Sequence, residues 1–200
     1  MANIVRDTNM PFPAYFVRGT RSKTELRMFV ARTALSWLSF EYARGVRGAV
    51  MLDIDDTLID GRENVAFGFE FMKELYNNLC YRFPIHIVTA RPDDDHENVM
   101  RMLMKKGFSI PPDRLHMLPT KYYGKSYSHV EDFKFNCYLR ILKRHGNVVV
   151  RMGDKMWDVS HMDSIRGTNA YLAHVKDREC YIFRDPSMGR CMSCKLPGEK

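Results

Sequence analysis

The chain has 200 residues, 45% of them hydrophobic, with 12 glycines and 9 prolines. That is enough for one well-buried domain, and it excludes fibrous and low-complexity classes. A net charge of +7 favours anionic partners as well as a solvated basic surface, and no apolar run approaches the roughly 20 residues of a membrane span.

Residues 1–20 contain Pro11 and Pro13 and show no period, so they are expected to form an N-terminal arm. "MANIVRDTNMPFP" lacks the charged start and apolar stretch of a secretion signal, and a cytoplasmic, intracellular location is the expectation. A helix is predicted within 21–46. Ser22 and Glu25 form a capping box, Leu26, Phe29, Val30, Ala34 and Trp37 share one face, and Gly45 stops it. That face should pack on a core.

From Arg47 the pattern alternates. Strands are predicted at "AVMLDI", "PIHIVTA", "LHMLP", "NVVVRMG" and "NAYLAHV", with helices near Glu63–Leu79, Asp94–Lys106, Ser128–Arg144 and Met156–Ile165. Gly107 and Gly146 follow two of these helices, where left-handed caps are expected. Alternation of this kind implies right-handed crossovers and a Rossmann-like three-layer α/β sandwich with a central parallel sheet. Its ligands bind beyond the carboxyl ends of the strands. Residues 47–176 would form this domain and 177–200 a C-terminal extension, adding an edge strand and then a loose cysteine-rich tail.

Of the five cysteines, Cys80 and Cys137 lie in apolar helical contexts that suggest packing. Cys180, Cys191 and Cys194, the last two in "CMSC", have a spacing that suits zinc, with His174 as a conceivable fourth ligand; unpaired thiols on a loose tail are the plainer reading.

The predicted strand ends carry the chemistry. The first supplies Asp53 and Asp55, the second Thr89, and the fourth Asp154 followed one helical turn later by Asp158. Lys134 lies near the start of a helix whose capping box is Ser128 and Glu131. If these ends converge, several carboxylates share one pocket, and two like charges 4 Å apart repel by about 4 kcal/mol at an effective dielectric near 20. Such a cluster holds protons or binds a divalent cation, and hard oxygen ligands favour Mg²⁺. Asp56 and the run Asp93–Asp95 read as solvated charge, and His86 and His161 as packing or surface residues.

"LDIDDT", "IVTA", Lys134 and "GDKMWD" resemble, in order, the motifs of the haloacid-dehalogenase-like phosphohydrolase superfamily over roughly Arg47 to Val175. The resemblance implies that Asp53 is a nucleophile that forms an aspartyl-phosphate, and that Asp55 protonates the leaving oxygen and then activates water. Thr89 and Lys134 would hold phosphoryl oxygens. The Asp53 carboxylate, the Asp55 backbone carbonyl and Asp154 would bind Mg²⁺, with Asp158 as ligand or support. An acid at position 55 points to phosphatase or phosphomutase chemistry.

The spacing of the motifs leaves room for little or no cap domain, as in compact members such as class B acid phosphatase-like proteins and the phosphatase domain of polynucleotide kinase/phosphatases. The short loop Thr120–Ser128 holds Lys121, Lys125, Tyr122, Tyr123 and Tyr127, and Arg91 follows Thr89 closely. Tyrosine rings stack on bases while cations meet phosphates, so a phosphorylated substrate, a nucleotide or a nucleic-acid end, is the expected partner. The alternatives are a phosphotransferase of the same superfamily, or a non-catalytic nucleic-acid-binding or adaptor protein whose working surface is the basic helix with Arg27, Arg32 and Arg44. Oligomeric state is not legible in these patterns.

Overall fold

The computed structural model describes residues 3–7, 14–18, 23–59, 70–159, 181–183 and 191–196. Its strands are β1 (Asn3–Asp7), β2 (Ala14–Arg18), β3 (Ala49–Leu52), β4 (Ile85–Pro92), β5 (Leu115–Leu118), β6 (Val148–Gly153), β7 (Tyr181–Phe183) and β8 (Met192–Lys195). The helices are α1 (Lys23–Ala43), α2 (Glu70–Leu79), α3 (His96–Lys105), α4 (Tyr127–His145) and α5 (Met156–Val159). No helix among the described residues is long and apolar enough to cross a membrane.

All eight strands form one sheet in the order β1-β2-β7-β8-β6-β3-β4-β5. The five from β8 to β5 are parallel, and β7, β2 and β1 extend them antiparallel. The expected α/β architecture with a parallel centre is therefore what the chain adopts.

Alternation on the strands sorts the two faces. Val50, Leu52, Ile87, Val150 and Met152 pack with Val30, Ala34 and Leu38 of α1, Met72 and Leu75 of α2, and Val99 and Leu103 of α3. Ala49, Met51, Val88 and Val148 face the other way, onto Cys137, Tyr138 and Ile141 of α4. At about 25 cal/mol per Å² of buried apolar surface, these two layers are the main favourable term holding the sheet in place. Of the predicted α1 face, Val30 and Ala34 are fully buried while Leu26, Phe29 and Trp37 pack partly buried at its edge.

The strands and helices described between Ala49 and Val159 fall close to their expected places, with residues 63–69 and 160–165 of two predicted helices outside the described residues. Gly107 and Gly146 take positive φ, 89° and 72°, as helix-terminating glycines do. The predicted capping box of α4 does not form. The N-cap is Ser126, Ser128 lies inside the helix, and the Ser126 hydroxyl bonds instead to the Ser128 hydroxyl and to His129 Nδ1, at 2.6 and 2.7 Å. The predicted strand "NAYLAHV" and Ser22 lie outside the described residues.

The termini depart most from expectation. Residues 3–7 and 14–18 of the expected arm are strands of the common sheet, paired from Asn3↔Arg18 to Asp7↔Ala14. The expected loose tail supplies β8, an interior strand paired to β6 through Val150↔Met192 and Met152↔Cys194. Ser193 and Lys195 disguise it as a tail, since both are polar and both are buried. Their polar atoms are satisfied locally. The Ser193 hydroxyl donates to the Val159 carbonyl at 2.7 Å and the Lys195 ammonium to the Leu196 carbonyl at 3.3 Å.

Candidate active site

In the parallel sheet, β3 leads to β4 and β5 on one side, while β6 and β8 lie on the other. Chain direction across the sheet thus reverses between β3 and β6, the place where open α/β sheets leave a crevice at their carboxyl ends. Asp53 follows β3 and Asp154 follows β6, and the Asp53 N–H donates to the Met152 carbonyl at 3.0 Å, tying the two ends together. Asp158 returns to the same place from the single turn of α5, its Oδ2 accepting the Lys155 N–H at 2.9 Å. Carboxylate oxygens of Asp53, Asp154 and Asp158 all lie within 4.8 Å of one another, and all three residues are buried. Side chains a hundred residues apart in sequence converge there.

Lys134, 2% exposed on the inner face of α4, reaches into this cluster. Its ammonium donates to Asp53 Oδ1 at 2.9 Å and to Asp158 Oδ1. Its neighbours in sequence are placed elsewhere: Lys125 and Lys143 are exposed, and the Lys121 ammonium sits over the Tyr122 ring, 4.9 Å from its centroid.

Lys134 pairs with two of the three acids, and Lys155, a quarter exposed, lies 3.5 Å from Asp154 Oδ2, so two cations face three acids. Burial raises the Asp53 carboxyl well above the usual range; Lys134 opposes that, and Asp158, Asp154 and Asp55 add to it. Asp154 is pushed up to about 7 by burial and by Asp158, against the pull of Lys155. Burial disfavours the Lys134 charge, but Asp158 and Asp53 outweigh it and hold the ammonium above its ordinary range. A buried cluster of carboxylate oxygens in which burial and like charges raise Asp53 and push Asp154 to about 7 has the chemistry of a divalent-cation site.

Thr89 lies within β4, three residues before its end rather than at the strand end expected, and is fully buried, its Oγ1 accepting the Arg91 N–H at 3.3 Å. Asp55 is partly exposed and paired through both oxygens with Arg91. Arg91, expected to point into the pocket toward substrate, is thus bound to the candidate acid. Tyr122, Tyr123 and Lys125 line a cavity of about 330 Å³ that Ala90 also borders, while Lys121 does not line it.

Three expectations are corrected. Cys191 packs with Ala49, Met51 and Cys137 on one face of the sheet, whereas Cys194 packs with Val50 and Leu52 on the other. Residues three apart on a strand point to opposite sides, so these thiols do not meet at one zinc ion; Cys180 and His174 lie outside the described residues. Arg27 is not part of a basic working surface either. It is 2% exposed and lies 3.9 Å from Asp56. Asp56 in turn has a φ of 52°, so it is a structural turn residue rather than simply solvated charge.

Arg151 and Trp157 were not singled out in the sequence, and Asp93 was read only as solvated charge. Arg151 is fully buried, donates from Nε to the Asp158 carbonyl at 3.1 Å and lies over the Tyr138 ring. A charge inside the apolar run "NVVVRMG" was its signal. Asp93 accepts from the N–H and hydroxyl of Thr120, at 2.9 and 2.7 Å, and so ties the end of β4 to the loop after β5. Trp157 stacks on Tyr127 with ring centroids 5.3 Å apart.

The chain matches no family model and no curated protein. What fold and site define together is an α/β protein with a buried acidic cluster and one inserted lysine at the carboxyl edge of a parallel sheet.

Proposed function

We propose that this protein is a Mg²⁺-dependent phosphomonoester hydrolase that works through an aspartyl-phosphate on Asp53. The observation that carries this reading is the placement of Asp53: at the end of β3, in hydrogen-bonding contact with the buried Lys134, and beside Asp154 and Asp158. A purely structural ion pair needs one acid for one lysine, whereas Asp53, Asp154 and Asp158 carry one more negative charge than Lys134 and Lys155 supply, an excess that is costly to bury without a further cation.

The residues fit Mg²⁺ because their donors are hard oxygens short of positive charge. Asp53, Asp154 and the backbone carbonyl of Asp55 would hold the ion. Asp158 is committed to Lys134 and to the Lys155 N–H, so it serves mainly to aim the lysine. The bound ion would supply positive charge opposite the anionic phosphoryl group.

The chain's own groups account for the rest. Asp53 attacks phosphorus as a carboxylate, forming the O–P bond as the ester oxygen departs. Lys134 holds the Asp53 oxygen in place and offsets charge gathering on the phosphoryl oxygens. Thr89, on β4 beside β3, would supply a hydroxyl to the same oxygens. Asp55 gives a proton to the departing oxygen and then takes one from the water that cleaves the acyl phosphate. Arg91 competes for Asp55 until an anionic substrate draws the guanidinium away.

Phosphate release from a panel of phosphomonoesters, with Mg²⁺ and with chelator, in wild type and Asp53→Asn tests the reading. Activity is expected only with the metal and only in wild type. Equal release by both proteins, or none from either across nucleotides, sugar phosphates and phosphopeptides, would overturn it.

A further inference from the structure

The cavity of about 330 Å³ next to the candidate site has a lining unlike that of the site itself. Ala90, Leu118, Tyr122, Tyr123, Tyr127 and Val130 form its walls, with Lys125 and Ser126 among its polar groups. Its position follows from chain connectivity. Ala90 is the residue after Thr89, and Tyr127 stacks on Trp157, the residue before Asp158. The cavity is therefore bordered directly by one neighbour of a candidate-site residue, Ala90, and connected to a second, Trp157, through the Tyr127 ring. A larger groove of about 690 Å³ along α4 shares Tyr122 but not Ala90.

Three tyrosine rings around a space at the low end of the roughly 300–1,000 Å³ typical of small-molecule sites suit a flat aromatic group. The loop is also braced. Asp93 clamps Thr120, the Tyr122 ring stacks on His129 at 5.0 Å, and the Tyr127–Trp157 stack fixes the opposite wall. Stacking on rings already held in place loses little conformational entropy on binding. Lys125 in the lining and Lys121 beside it give the rim positive charge, which an uncharged aromatic ligand would not use but a phosphorylated one would.

We propose that this cavity is a base pocket: it takes the nucleobase of a substrate whose phosphomonoester reaches Asp53. The proposal rests on the phosphatase reading for its substrate class, while the pocket itself is testable without catalysis. Stacking by π-faces tolerates every base, so discrimination among bases is weak and discrimination against sugar phosphates lacking a base is strong.

The test is equilibrium binding, by calorimetry or quenching of tryptophan and tyrosine fluorescence, to wild type and to Tyr123→Ala and Tyr127→Ala. The probes are adenosine, adenosine monophosphate and ribose 5-phosphate. Both rings are largely exposed, 59% and 76%, so their removal spares the core. Adenosine is expected to bind, the monophosphate to bind more tightly, and each variant to weaken both by about tenfold. No adenosine binding at millimolar concentration, or equal affinity in wild type and both variants, overturns the pocket whether or not the protein hydrolyses phosphate. Adenosine binding without Asp53-dependent hydrolysis upholds the pocket and removes the phosphatase reading instead. Preference for a mononucleotide or for a phosphorylated oligonucleotide end supports the pocket in either case and names the source of the base.

Discussion

Arg91 grips Asp55 in a two-pronged pair, Nε to Oδ2 at 3.0 Å and Nη2 to Oδ1 at 2.6 Å. While both oxygens accept from the guanidinium, neither is presented to a leaving group. The pair is about a third exposed on each side, so water and an incoming anion reach it. Arg91→Ala is expected to lower kcat/KM by about 10- to 100-fold, because a two-pronged cation that orients phosphate is lost. It should also weaken competitive inhibition by inorganic phosphate. Unchanged kcat/KM and unchanged phosphate inhibition would show that Arg91 only anchors Asp55.

Lys134 and Asp53 should separate stability from chemistry. Lys134→Ala leaves Asp53 and Asp158 buried without their cation, a change expected to cost about 3 kcal/mol or more. Asp53→Asn removes the charge that burial penalises, so its stability should lie within about 1 kcal/mol of wild type or above it. Urea midpoints measure both, and Asp53→Asn should have no phosphatase activity while remaining folded.

Gly153 lets Asp158 close over the strand end. A β-carbon built on Gly153 would fall inside the Asp158 side chain, against its Cβ and Oδ2. Gly153→Ala must displace Asp158 and with it the aim of Lys134. We expect a loss of about 1–3 kcal/mol and a larger proportional drop in kcat than in substrate affinity. Denaturation and steady-state kinetics on the same preparation decide this, and wild-type kcat would count against the role given to Asp158.

His86, 1% exposed on β4, sits between two other imidazoles. Its Nδ1 is 2.9 Å from His116 Nε2 and its Nε2 is 2.9 Å from His145 Nε2. Burial first, then His116, His145, Arg114 and Arg144, lower it from 6.5 to about 3. Above the unfolded value of about 6.5 both states are neutral and stability does not depend on this ring. Below it the unfolded chain takes up a proton that the folded one refuses, so stability falls as pH drops toward 3. From pH 7 to 5 the loss attributable to His86 is about 2 kcal/mol. His86→Leu should flatten that part of the urea-midpoint profile. An identical slope in wild type and variant would show that other groups carry the acid sensitivity.

The elements from Ala49 to Val159 are legible because each pairs a local signal with a physical need. The apolar run ending in Asp53 marks a strand buried on both faces, and Gly146 marks a helix stop by its positive φ. Asp53 and Asp154 carry their own signal, since charged groups at the ends of apolar strands need a reason to be there, whereas Thr89 within β4 and Lys134 on α4 stand out only through the motif resemblance. β8 carries none: Ser193 and Lys195 are polar yet buried, and the carbonyl that accepts from Ser193 belongs to Val159, 34 residues away, a contact that exists only after folding.

Composition and spacing thus determined the strand-and-helix alternation and which residues could serve chemistry, because burial and backbone conformation act over a few neighbouring positions. Tertiary structure alone decided the pairings: Arg91 with Asp55, Lys134 with both Asp53 and Asp158, Arg27 with Asp56, and the two thiols of "CMSC" turned apart. Such pairings depend on where the crossovers bring distant strand ends and on which face of the sheet each side chain takes, and neither is written into any short stretch of sequence.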